Sequence, residues 1–123
     1  MQSTFDCADP DGLARFWAEA LGYVMQPPPE GFDSWDAALD AWGVPEAERN
    51  SRSALVDPEG TRSRIFFQRV PEGKTAKNRV HLDVRSAPGQ QGEERTATLD
   101  AEATRLEALG CTRVKVFRPN RPM

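Results

Sequence analysis

The chain has 123 residues, of which 38% are hydrophobic and 28% charged, proportions that suit one folded domain with a single core and argue against disorder. A net charge of −3, with both signs mixed along the sequence, leaves no electrostatic footprint for nucleic acid. No apolar run approaches the roughly 18 residues that cross a bilayer. The opening MQSTFDCADP has no charged stretch followed by an apolar one, so no signal peptide is expected and a cytoplasmic setting is. Cys7 and Cys111 are too few for a disulfide framework and read as small buried apolar residues.

In chain order, residues 3–7 are β-compatible and are broken by Asp9-Pro10-Asp11-Gly12. Asp9 suits an N-cap, Pro10 the first helical position, and Asp11 the positive end of the helix dipole. Leu13, Phe16, Trp17, Ala20 and Leu21 follow at helical spacing, and Gly22 ends the helix. Trp17 is read as core. A strand over 23–26 stops at Pro27-Pro28-Pro29. The long connection to Asn50 holds a short helix, with Ser34 as cap, Trp35, Leu39 and Trp42 near helical spacing, and Gly43 as stop. Long connections of this kind are often functional.

Residues 53–56 and 64–70 read as two strands of a hairpin, joined by the turn Asp57-Pro58-Glu59-Gly60. Residues 78–85 alternate clearly: Val80, Leu82 and Val84 on one face, Arg79, His81, Asp83 and Arg85 on the other. Residues 87–95 read as a polar loop, 98–109 as a helix capped by Gly110, and 111–117 as a last strand. The order predicts an α+β fold: one βαβββ module, then the start of a second. Glu19-Ala20-Leu21-Gly22 and Glu107-Ala108-Leu109-Gly110 repeat one tetrapeptide, each ending a helix ahead of a strand.

Three stretches resemble the glyoxalase-like branch of the vicinal-oxygen-chelate superfamily, which includes the bleomycin-resistance proteins. Asp6-Cys7-Ala8-Asp9-Pro10 with Leu13-Ala14-Arg15-Phe16-Trp17-Ala18 resembles its opening strand and helix. Val70-Pro71-Glu72-Gly73-Lys74 with Lys77-Asn78-Arg79-Val80-His81-Leu82-Asp83 resembles the junction between modules, the most specific of the three. Arg105-Leu106-Glu107-Ala108-Leu109-Gly110 resembles the second helix. The resemblance implies a single domain over 1–123, with module one at about 1–72 and a partial module two at about 77–118. It further implies paired sheets forming a half-barrel cleft that takes metal or ligand, and a homodimer. The family's second module normally continues into two more strands, whereas this sequence closes on Phe117-Arg118-Pro119-Asn120-Arg121-Pro122-Met123. Three expectations follow: a partner chain covers the exposed edge, the edge is tolerated, or the chain is truncated.

His81 is the only histidine. By the resemblance it matches a metal-ligand position on the first strand of module two. Gln2 lies near the corresponding place in module one, and Gln68 near a place on the fourth strand where an acidic ligand is usual. One imidazole and two neutral amides make a poor divalent site, so no cofactor is expected; zinc, nickel, iron or manganese is the alternative. The competing reading makes His81 a strand histidine hydrogen-bonded to a neighbour or lining an empty cleft. His81 with Asp83 forms a candidate acid/base pair, although side chains two apart on a strand sit roughly 6–7 Å apart. Cys7 has no base nearby and is read as structural.

Lys74, Lys77, Arg79 and Arg85 suit either an anionic ligand or a solvated surface. Phe32, Trp35 and Trp42 suit either an aromatic lid or a helix packed on the sheet. The candidate ligand-binding set is thus His81, Asp83, Arg79, Gln68, Trp35 and Trp42. The favoured function is binding of a small molecule in the cleft without a complete metal site. The alternatives are a metal-dependent lyase or isomerase of the glyoxalase type, and a non-catalytic domain that completes its sheet with another chain.

Overall fold

The computed structural model describes residues 1–114. The elements run β1 (Gln2–Cys7), α1 (Pro10–Leu21), β2 (Val24–Met25), α2 (Trp35–Ala41), a 3-10 turn (Glu46–Glu48), β3 (Arg52–Val56), β4 (Arg64–Arg69) and α3 (Gly92–Ala108). The chain divides into two compact units, Met1–Lys77 and Asn78–Met123.

The first unit holds a four-stranded open sheet in the order β1-β4-β3-β2. β1 runs parallel to β4, while β3 is antiparallel to both β4 and β2. α1 forms where the sequence predicts it. The Asp9 carboxylate accepts from the Gly12 N–H, Pro10 occupies the first turn, and Gly22 ends the helix at φ +72°, a conformation glycine adopts without penalty. The helix lays Leu13, Ala14, Trp17, Ala18 and Leu21 against the sheet. Ala14 is fully buried, and so small a side chain lets the helix backbone approach closely. Across from it Leu55 and Phe67 are also fully buried, and the Phe5 and Phe67 rings stack with centroids 5.8 Å apart. Each such large side chain contributes about 1.5–3 kcal/mol through burial.

The turn between β3 and β4 closes on Asp57. Its carboxylate accepts from the backbone N–H groups of Glu59, Thr61 and Arg62, from the Thr61 hydroxyl and from the Arg62 guanidinium. Arg62 also donates to the Leu21 carbonyl and lies 4.4 Å from the centre of the Tyr23 ring, so one cluster ties the turn to the end of α1. The long connection is fastened at its far end by Asn50. Its side chain accepts from the Asp11 N–H at 2.8 Å and donates to the Asp9 carboxylate at 2.7 Å.

Five expectations change. Residues 78–85 form no strand: they are exposed throughout, Val80 at 74%. Alternation records which side chains would share a face, but a strand also needs a backbone partner. Among the described residues of its own unit there is only a helix. The loop placed at 87–95 ends sooner, because α3 begins at Gly92, with Glu93 and Glu94 favouring its positive end. Cys111 is exposed rather than buried, lying beyond α3 in a stretch without core; Cys7 is half-buried. The strand expected at 23–26 shortens to Val24–Met25. Of the strand expected at 111–117, residues 111–114 form none, and 115–117 lie outside the described residues.

The repeated tetrapeptides do behave alike. After the first, Tyr23 N–H donates to the Ala18 carbonyl; after the second, Cys111 N–H donates to the Leu106 carbonyl, both at 3.0 Å and five residues back. Gly22 and Gly110 both have positive φ, so each helix stops with the reversal such a glycine permits.

Candidate functional site on the open face of the sheet

Register divides the first unit's sheet into two faces, since side chains alternate along a strand. Ser3, Phe5 and Cys7 share a face with Ile65, Phe67 and Leu55, the face that α1 covers. The opposite face carries Gln2, Thr4 and Asp6 from β1, Arg64, Phe66 and Gln68 from β4, and Arg52 and Ala54 from β3. Gln2, Thr4, Asp6, Arg52 and Gln68 are exposed there, and Arg64, Phe66 and Ala54 are half-buried.

Arg64 organises one end of this face. Its Nε donates to the Gln26 side-chain oxygen at 2.7 Å, its Nη1 donates to the Gln2 side-chain oxygen, and its guanidinium lies 5.3 Å from the centre of the Phe66 ring. The Trp35 indole N–H donates to the Gln26 backbone carbonyl at 2.8 Å, so Trp35 and Arg64 meet at one residue. At the other end Gln68 Nε2 donates to the Asp6 carboxylate at 2.6 Å.

The candidate residues therefore fall into separate places. Gln2 meets Arg64 directly, and Trp35 reaches the Arg64 end through Gln26. Gln68 stands level with Asp6, four residues further along the paired strands than the level of Gln2 and Arg64. Trp42 packs edge-on against Phe32, with centroids 5.8 Å apart, and stays 55% exposed. Arg79, His81 and Asp83 belong to the second unit, where they are exposed and outside any strand. Lys74 and Lys77, in the first unit, are exposed as well, as is Arg85 in the second. Among the described residues no group of three or more His, Cys, Asp or Glu side chains is placed to hold a metal ion. The Gln2 oxygen already accepts from a guanidinium, whose positive charge opposes a divalent ion at that atom. A neutral amide oxygen engaged in this way is a weak ligand for such an ion.

Cys7 lies on the covered face, its thiol 3.6 Å from the Gln68 carbonyl, and burial pushes its pKa up. A thiol so placed is a poor nucleophile at neutral pH. Arg64, Phe66, Asp6 and Arg52 are the residues that sequence reasoning passed over. The signal for two of them was present: once Gln68 is placed on the open face, the alternation of β4 carries Phe66 and Arg64 with it.

No described helix is long and apolar enough to cross a membrane. The family model for a glyoxalase-like domain matches residues 2–122. No curated protein and no solved structure matches the chain.

Proposed function

The chain belongs to the glyoxalase-like domain family, of the vicinal-oxygen-chelate superfamily, and from that premise we propose that it binds a small organic molecule on the open face of its first sheet, without a resident metal. The observation that carries this reading is the partition of the sheet. α1 and the core take one face, while the other presents a half-buried ring, two guanidinium groups, a carboxylate and two amides, a mixture of apolar and orienting polar groups. The paired-sheet half-barrel and the homodimer belong to the same proposal. In that arrangement a second βαβββ module, or a second copy, supplies the opposing wall of the cleft.

Methyl-resolved NMR against a library of small organic molecules tests the reading. Binders should move the methyl signals of Thr4, Ala54 and Val56, on the open face, more than those of Leu13, Leu55 and Ile65, on the covered face. Saturable quenching of Trp35, removed in Trp35→Phe, should accompany them. A library that leaves the open-face methyls unmoved refutes it. Elemental analysis of the purified protein should find less than one equivalent of zinc, nickel, iron or manganese, and adding these ions should leave the methyl spectrum unchanged.

A further inference from the structure

Arg64 is the half-buried guanidinium of the open face, and among the described residues nothing acidic answers its charge. The guanidinium is half-buried, yet its two hydrogen-bond partners, Gln2 and Gln26, are neutral amides. The carboxylate on the same face, Asp6, is hydrogen-bonded to Gln68 at the other end. Three other arginines of the first unit meet acids: Arg15 with Asp11, Arg49 with Asp36 and Asp40, and Arg62 with Asp57. Arg52 and Arg69 pair with none among the described residues, but both are exposed where Arg64 is half-buried. Arg64 donates through Nε and Nη1 only, and Nη2 makes no hydrogen bond among the described residues. A partly desolvated cation with an open donor prefers an anionic acceptor, because charge-assisted hydrogen bonds are the stronger kind. The two amides and the Phe66 ring fix where the guanidinium sits, so little ordering remains for a ligand to impose.

The surroundings give the ligand its second property. Next to Arg64 along β4 comes Phe66, flanked in register by Thr4 on β1 and Ala54 on β3. Both neighbours are small, so they leave the ring accessible from the sides. A flat or apolar body seated over Phe66 and Ala54 would bring an attached carboxylate to the Arg64 end. We infer that the open face selects a small aromatic carboxylate, with Arg64 taking the carboxylate and Phe66 and Ala54 taking the ring. This inference rests on the binding reading proposed above and names the ligand class of that site. It is a local preference, since the chain as a whole is acidic, with a net charge of −3.

The test uses the full chain and three probes: benzoate, its neutral counterpart benzamide, and acetate, which has the charge without the ring. Titrations followed by the Thr4 and Ala54 methyls should rank benzoate first. Arg64→Gln should weaken benzoate about tenfold or more while leaving benzamide within about twofold, the difference expected of a charged hydrogen bond. Arg64→Lys, which keeps the charge but loses the planar fork, should fall between. An unchanged methyl spectrum for Leu55 and Ile65 certifies that each variant is folded. If benzoate and benzamide bind the open face equally well in both the native chain and Arg64→Gln, the anion preference is wrong while the binding reading stands. Should acetate match benzoate, the role given to Phe66 and Ala54 fails. If neither the probes nor a broad library moves the open-face methyls, the binding reading itself falls, and the inference with it.

Discussion

Asp57 shows how much one side chain does when several donors converge on it. The residue is buried, and its carboxylate meets the Arg62 guanidinium and three backbone N–H groups. Foremost among these, Arg62 holds its pKa well below the usual carboxylate range, with the N–H groups of Arg62 and Glu59 and the Thr61 side chain adding to it. A depressed folded-state pKa contributes stability that is full above the unfolded value, near ~4, and fades as the pH falls below it. Asp57→Asn should therefore lower the thermal midpoint at pH 7 by about 5 °C or more. The gap between native chain and variant should narrow as denaturation is repeated at successively lower pH below 4. A gap constant across that range would show that the charge of Asp57 contributes nothing. The turn residues Asp57-Pro58-Glu59-Gly60 announced a hairpin in the sequence. The partnership with Arg62 did not show there, because it depends on the turn bringing the two together.

At the level of elements, legibility follows how locally each one is determined. α1 could be read almost to the residue because its signals lie within it: a carboxylate cap, a proline in the first turn, one apolar face and a terminal glycine. α2 followed the same logic, with Ser34 accepting from the Ala37 N–H. The segment 78–85 had the clearest alternation in the chain and forms no strand, since pairing depends on residues elsewhere. The open face lay between these extremes. Its parity was readable, but that Gln2 is claimed by Arg64 follows from β1 pairing with a strand sixty-two positions later, which no local pattern reports. The sharpest non-local tie is Asn50, which joins the end of the connection to the start of α1. Asn50→Ala leaves the Asp11 N–H without that acceptor and should cost about 1–2 kcal/mol in urea denaturation. Amides of residues 46–51 should also exchange faster with solvent in the variant. An unaltered midpoint would mean that water replaces the asparagine without loss.

Across the whole molecule, protection against hydrogen exchange should map the two units unequally. Amides in β3 and β4, paired on both sides and set over the core, should be the slowest. Those of residues 78–85, exposed and outside any strand, should exchange at close to unprotected rates in dilute protein. Raising the protein concentration separates the expectations about the sheet edge. If a second copy recruits this segment into a strand, its protection and the mass from light scattering rise together, as the proposed homodimer requires. Slow exchange there in a demonstrably monomeric sample would overturn its placement outside any strand.

The parallel union of β1 with β4 also sets a timetable for synthesis. Gln2 leaves the ribosome long before Arg64, its partner, and at about 5–20 residues per second the wait is roughly 3–12 s. Throughout that interval the nascent chain carries a first segment with Phe5 unsheltered and its backbone groups paired only with water. α1, whose signals are local, can form early and shield part of it. The sheet itself must close late, around the longest loop in the first unit, so chaperones that hold exposed apolar segments should matter most to this protein before residue 69 has emerged.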